Sequence, residues 1–334
     1  MRRRRELTSA VLLVSALAGL PGVRVALSQG TAPPGGVPAV VAPAAPAPLP
    51  SPVAGIRNKL SAGDLLSAES ILEVHRARHG EDGAWLQGLA WLARGALLLG
   101  ELDKSERYAG EVRRACDARL AKGVKLADDR DLETALGAVI EVDAQRLERT
   151  RGRAAAVKLL RGEIAAHGSA PVAMRSRLQK RLNLMTLVGQ PAPELVVEGH
   201  LGEPPPSLAS LRGKPVVLFL WAEWCGDCRA QAAPLAATLR KHAADSLRCV
   251  AVTRWYDEPA LRGRETARVD SMWTAAYADV GSIPRVFSTA SMVGYGASST
   301  PSFVFVDRRG IVRGYTATRL TEAELEQRVA QILR

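Results

Sequence analysis

Cys225 and Cys228 stand two residues apart in the run Trp221-Ala222-Glu223-Trp224-Cys225-Gly226-Asp227-Cys228. At the start of a helix this spacing puts Cys228 one turn inward of Cys225, where its sulfur can reach the first and close a disulfide. Such a pair exchanges with another protein's disulfide through a mixed disulfide. The attacking form is the thiolate, and the unpaired N–H groups and positive dipole end of a helix N-terminus stabilise it. The same spacing also fits half a zinc site or a static disulfide. No second Cys pair or His cluster supplies further ligands, and His200 and His242 lack metal-ligand spacing, so the sequence calls for neither a metal nor a cofactor. A copper chaperone would need a His near the pair, and none is close. Trp224, beside the first sulfur, is a candidate substrate contact, and Gly226 and Asp227 are placed to tune the pair. The Asp227 carboxylate competes with a Cys225 thiolate for the same positive helix end, which should make the protein a reductant by on the order of 1 kcal/mol at an exposed site.

The elements that must hold these residues are legible around them. Pro215 to Leu220 is a continuous apolar run, as in a parallel strand buried on both faces, and Arg229 to His242 reads as the helix that follows. Leu247 to Val252 reads as a second buried strand. Arg264 to Val280 reads as a helix with Val269, Met272, Trp273, Ala276 and Val280 on one side. Ser302 to Val306 and Ile311 to Tyr315 flank the turn Asp307-Arg308-Arg309-Gly310, and Thr321 with Glu324 fits a capping box opening a last helix to Leu333. Leu195 to Val197 reads as a short strand ahead of the turn-rich stretch Gly199 to Pro206. Gly294-Tyr295-Gly296 reads as a turn, not a phosphate loop.

Upstream, residues 55–187 are rich in Ala, Leu, Arg and Glu at helical spacing with Gly breaks, which predicts stacked helical hairpins. Leu89, Leu92, Ala93, Ala96, Gly100, Leu102, Ser105, Ala109 and Val112 resemble a tetratricopeptide unit, and Gly63-Asp64-Leu65 with Ala68 and Leu72 repeats its turn and second helix about 37 residues earlier. Gly152, Ala154 and Val157 repeat it less cleanly, so a generic helical domain is the competing reading. Trp85 and Trp91 fall on the core pattern. The architecture expected is an all-α helical-hairpin domain over 55–187, then an α/β domain over 188–334 with a central mixed sheet flanked by helices.

Ahead of both, residues 1–28 read as a signal peptide: Arg2 to Arg5, an apolar stretch from Leu7 to Leu20, and small residues suited to cleavage after Ser28. The stretch is shorter than the roughly 20 residues of a membrane-spanning helix, so an uncleaved anchor is second choice. Arg4-Arg5-Glu6-Leu7 loosely fits a twin-arginine signal, leaving the export route open. Residues 29–54 form a Pro- and Ala-rich linker expected to be extended. The destination is therefore periplasmic or otherwise extracytoplasmic. The chain's formal charge of +11 includes five Arg and one Glu within residues 1–28, and no later Lys/Arg tract points to nucleic acid.

Trp-Ala-Glu-Trp-Cys-Gly-Asp-Cys resembles the thioredoxin active site, with Asp227 where that family usually has Pro. Ser299-Thr300-Pro301 matches the position of the thioredoxin cis-proline. The opening Val188 to Pro193, the stretch Leu208 to Pro215 and the segment inserted between the second and third strands resemble the TlpA/ResA group of exported thioredoxin-like proteins. The resemblance covers about 189–334 and leaves the helical region outside. It implies that Cys225 attacks and Cys228 resolves, that Thr300 and Pro301 form a platform for the substrate's extended backbone, and that the substrates are disulfide-containing exported proteins, with a membrane thiol donor re-reducing the pair. Three positions depart from the pattern. Phe219 stands where thioredoxin has a buried Asp, Gln231 where ResA-like proteins have a Glu, and Pro234 lies one residue later than the usual helix-kinking Pro. Glu223 is the nearest remaining carboxylate in sequence.

Two functions from different classes fit: a protein disulfide reductase, and a binding protein whose helical repeats recruit a partner while the α/β domain presents a surface. A peroxiredoxin does not fit, because the hydroxyl residue expected three positions before its reactive Cys is Ala222. Cys116 and Cys249 fall in a helix and a buried strand, as small core residues do.

Overall fold

The computed structural model describes residues 51–334, of which Pro50–Arg334 forms one compact unit. The expected signal peptide and all but the last residues of the expected linker lie outside the described residues. Those last residues are a correction. Ser51 caps a helix that begins at Pro52, because a proline suits the first helical position, where its missing N–H costs nothing.

Seven helices follow one another: α1 (Pro52–Ser61), α2 (Leu65–His79), α3 (Gly83–Leu98), α4 (Leu102–Ala121), α5 (Arg130–Arg151), α6 (Arg153–Ala166) and α7 (Val172–Thr186). Asp64, Asp82 and Asp129 each accept a backbone N–H at the start of α2, α3 and α5, a cap that contributes about 1 kcal/mol. The expected hairpin is α3–α4. Leu89, Leu92, Ala93, Ala96, Ala109 and Val112 are buried along it, and Ser105 turns its hydroxyl onto the Ala93 carbonyl at 2.8 Å. Gly100 makes the turn at φ +84°, a conformation that a side chain disfavours. Trp85 is buried, whereas Trp91 is half-exposed, with the guanidinium groups of Arg57 and Arg94 over its ring.

The rest of the chain is a thioredoxin-like α/β domain. Its strands β1 (Gly199–Leu201), β2 (Val216–Leu220), β3 (Arg248–Thr253), β4 (Arg285–Phe287), β5 (Ser302–Val306) and β6 (Val312–Thr316) form one mixed sheet in the order β1-β4-β3-β2-β5-β6. β2 runs parallel to β3 and antiparallel to β5, and β3 runs parallel to β4. The alternation of side chains along a strand sends Val217, Phe219, Cys249, Ala251, Phe303 and Phe305 into one core. Val216, Leu218, Leu220, Val250, Val252, Val304 and Val306 enter the other. Five further helices pack on this sheet: α8 (Gly226–Arg229), α9 (Ala232–Lys241), α10 (Arg262–Ala276), α11 (Thr289–Gly294) and α12 (Glu322–Leu333). The capping box forms, with the Thr321 hydroxyl taking the Glu324 N–H and the Glu324 carboxylate taking that of Thr321. At the β5–β6 turn, Asp307 Oδ1 accepts the N–H groups of Arg309 and Ile311.

Three expectations need correction. Leu195 to Val197 forms no strand: Val196 exchanges hydrogen bonds with the Ser291 hydroxyl, and the ladder starts instead at Gly199. The helix expected over 229–242 is two helices, because Pro234 has no N–H for the Ala230 carbonyl one turn earlier and its ring crowds that turn. The helix expected to run to Val280 ends at Ala276 and is followed by a tight turn over Ala278–Val280.

Candidate active site

β2 delivers the chain to Trp221 and Ala222, both buried, and the backbone then turns at Glu223 and Trp224 into α8. Cys225 occupies the cap position of that helix in extended backbone, and its Sγ accepts the N–H of Cys228 at 3.1 Å. Cys225 and Cys228 are joined as a disulfide, with Cα atoms 5.2 Å apart. Cys225 retains 6 % of its surface and Cys228 none, so the outer sulfur is the one another molecule can approach. The helix-end N–H that meets Sγ favours an anion there once the pair is reduced.

The Thr300–Pro301 peptide is cis, and the Thr300 carbonyl oxygen lies 3.3 Å from Cys225 Sγ. The structure thus brings Cys225, Cys228, Thr300 and Pro301 together. Trp224 is 60 % exposed on the rim, its indole edge-on to Tyr256 at 5.5 Å between ring centres. Gly226 and Asp227 fill the first turn of α8, and Asp227 lies 3.5 Å from Arg319, both side chains largely exposed. That arginine offsets part of the negative charge that Asp227 places near the sulfur.

The positions that depart from the thioredoxin pattern are filled without a proton acceptor. Phe219 is fully buried, stacked between Trp221 and Phe303. Gln231 is buried too, and its amide pairs twice with the main chain of Leu320. Glu223 is an occupied carboxylate: Arg268 donates to it at 2.6 Å and also bonds Asp257. Cys116 and Cys249 are free thiols in separate cores, and burial pushes each up to about 12. Among the described residues, no group of three or more His, Cys, Asp and Glu side chains is arranged to hold a metal ion.

Several residues of this site have no signal in the sequence. Arg254 and Tyr256 lie in the loop after β3, with the guanidinium 3.9 Å from the tyrosine ring centre. Glu265, fully buried on α10, holds that loop by accepting the N–H groups of Tyr256 at 2.7 Å and Asp257 at 3.1 Å. A buried carboxylate in a helix otherwise rich in exposed charge leaves no periodic mark. Val172, Ala173 and Ser176 of α7 complete the surroundings of Thr300, although they are over 120 residues away in sequence.

Fold and site together define a thiol-disulfide oxidoreductase built on a thioredoxin-like domain. Residues 188–315 match the model of the AhpC/TSA family. The thioredoxin-like protein YneN of Bacillus subtilis (strain 168) is 29% identical over 144 residues, which are 42% of this chain and 78% of that protein. Among solved structures, a thiol:disulfide interchange protein of the thioredoxin family from Chlorobium tepidum TLS is 20% identical, covering 44% of this chain and 97% of its own, with a TM-score of 0.32. A secreted Mycobacterium tuberculosis disulfide oxidoreductase homologous to E. coli DsbE is 23% identical, covering 36% of this chain and 84% of its own, with a TM-score of 0.29.

Proposed function

We propose that the protein is an exported reductant of protein disulfides, of the TlpA/ResA kind, in which a tetratricopeptide-like domain over 55–187 recruits a partner and a catalytic domain over 188–334 does the chemistry. The observation that carries the redox reading is the geometry of one sulfur: Cys225 Sγ caps α8, takes the Cys228 N–H, and is the more accessible of the two. The cycle starts from the dithiol. The Cys225 thiolate attacks one sulfur of a substrate disulfide; that bond breaks, and its electron pair leaves on the other substrate sulfur, which takes up a proton. Cys228, deprotonated, then attacks Cys225 Sγ in the mixed disulfide, and the second substrate thiol departs. Two electrons have passed to the substrate, and the Cys225–Cys228 disulfide remains. A membrane dithiol donor returns the two electrons by the same exchange in reverse. Trp224, Thr300 and Pro301 hold the substrate backbone at the outer sulfur. Export to the periplasm or a comparable compartment, read from residues 1–28, places the enzyme among its substrates.

Trapping tests this. Cys228→Ser removes the resolving sulfur, so mixed disulfides should accumulate on Cys225 in cells and dissolve on reduction. Absence of adducts, or equal adducts in Cys225→Ser, would overturn the assignment.

A further inference from the structure

The helical region supplies one wall of the active site. Val172, Ala173 and Ser176 on α7 face Trp224, Arg254 and Tyr256 across a pocket of about 160 Å³, and Ser298 to Thr300 lie between them. The pocket therefore opens beside the carbonyl that touches Cys225 Sγ. A second hollow continues from it, since Ala173 and Ser298 line both. Its rim carries Arg130, Arg177 and Lys180, with Glu133 as the single carboxylate. Glu133 is engaged, accepting the Met174 N–H at 2.9 Å.

The charge of this cleft is not balanced from within. Arg177, Lys180 and Arg181 all lie within 4.0 Å of one buried carboxylate, that of Glu141. Arg130 and Arg254 have no carboxylate within that distance among the described residues; Arg254 rests on the Tyr256 ring and donates to the Trp255 carbonyl. Arg130 is exposed and Arg177, Lys180 and Arg254 are half-buried, so they attract a negative partner from solution and added salt screens that attraction.

We propose that this cleft binds an acidic stretch of the substrate polypeptide next to its reactive cysteine, so that α7 selects which disulfides reach Cys225. The proposal rests on the redox reading above and names the substrate class for the same site. The chain would leave the Thr300 platform, pass Ser298, and lay its carboxylates along Arg254, Arg177 and Arg130.

The test uses the full chain and two dye-labelled, cysteine-free peptides, identical except that one carries four Glu where the other carries four Lys. Fluorescence anisotropy at low ionic strength should give the Glu peptide a Kd at least about tenfold lower, and about 0.5 M salt should shrink that preference. Arg254→Ala should reduce it to below about threefold. So should Ala173→Glu, a fold-compatible change, because the site is exposed and a carboxylate suits the first turn of a helix. Equal affinity for both peptides, or a preference that survives Ala173→Glu, overturns the cleft. A separate arm asks whether reduced wild-type protein reduces bis(2-hydroxyethyl) disulfide, which is neutral and carries no acidic polypeptide to lie in the cleft. Failure there overturns the redox reading, whatever the peptides do.

Discussion

Gln231 and Leu320 exchange two hydrogen bonds across the active-site side of the domain: the Gln231 amide donates to the Leu320 carbonyl at 2.8 Å and accepts the Leu320 N–H at 2.9 Å. Both residues are buried, so the link joins the short loop between α8 and α9 to the segment that carries Arg319 and leads into α12.

Gln231→Ala should therefore be costly, because it leaves a buried N–H and a buried carbonyl unpaired at about 1–3 kcal/mol each. Denaturant melts of the oxidised protein check this, and a loss below about 0.5 kcal/mol contradicts it. Gln231→Glu has the same shape but faces the Leu320 carbonyl with an acceptor, so its acid form fits better. Its folded pKa should lie above the unfolded value of about 4.3. The variant's stability relative to wild type is then best below that value and declines as pH rises through the folded pKa.

Asp227 and Arg319 should move the redox potential in opposite directions. Removing the carboxylate in Asp227→Pro or Asp227→Asn relieves a Cys225 thiolate of a competing charge and favours the dithiol. Arg319→Ala uncovers the carboxylate and favours the disulfide. Both side chains are about two-thirds exposed, so solvent limits each effect to about 0.2–1 kcal/mol, or roughly 5–20 mV for a two-electron couple. Equilibration against a glutathione buffer measures it, and a more reducing Asp227→Pro would contradict the account.

His242, at the end of α9, is bonded to Asp245 in the following turn at 2.9 Å and ties α9 to α12 through Glu326 at 3.0 Å. Burial opposes its charge, but those two carboxylates outweigh it and raise the imidazole above its ordinary value. The stabilisation is then complete below the unfolded pKa of about 6.5 and is lost as pH rises through the higher folded value. Thermal melts should show His242→Ala losing more against wild type near pH 6 than near pH 9; an equal loss at both contradicts this.

Thiol reactivity should be divided sharply. In the reduced native protein at pH 8, iodoacetamide should modify Cys225 first, since it is the more exposed residue of the pair and its sulfur meets a helix-end N–H. Cys116 and Cys249, with thiols pushed up to about 12 by burial, should react only after unfolding. Peptide mass mapping over time decides it.

The elements nearest the sulfurs were readable because each has a local cause. An unbroken apolar run makes β2, the Asp307 to Gly310 turn makes the β5–β6 hairpin, and Thr321 with Glu324 starts α12. The break between α8 and α9 also had a visible cause in Pro234, yet its consequence depended on where the preceding turn ended. β1, β4 and α11 were not readable, being three to six residues long and held by neighbours rather than by periodicity. The cleft wall is the extreme case. Nothing in the sequence near Val172 or Arg254 indicates that they meet, because only the packing of the finished fold brings them together.

That packing has a pivot at Gly296, whose φ is +68° and whose missing side chain makes room for the main chain of Lys180 on α7. One helical turn along, the Asn183 amide donates to the Gly294 carbonyl at 3.0 Å. Gly296 is a keystone: two or three residues beyond it the strand of peptide reaches Ser298 and Ser299, and then the carbonyl beside the outer sulfur. The helical array and the mouth of the reaction centre thus share this short stretch of backbone, and cutting the chain near residue 187 would strip away a buttress as well as a wall.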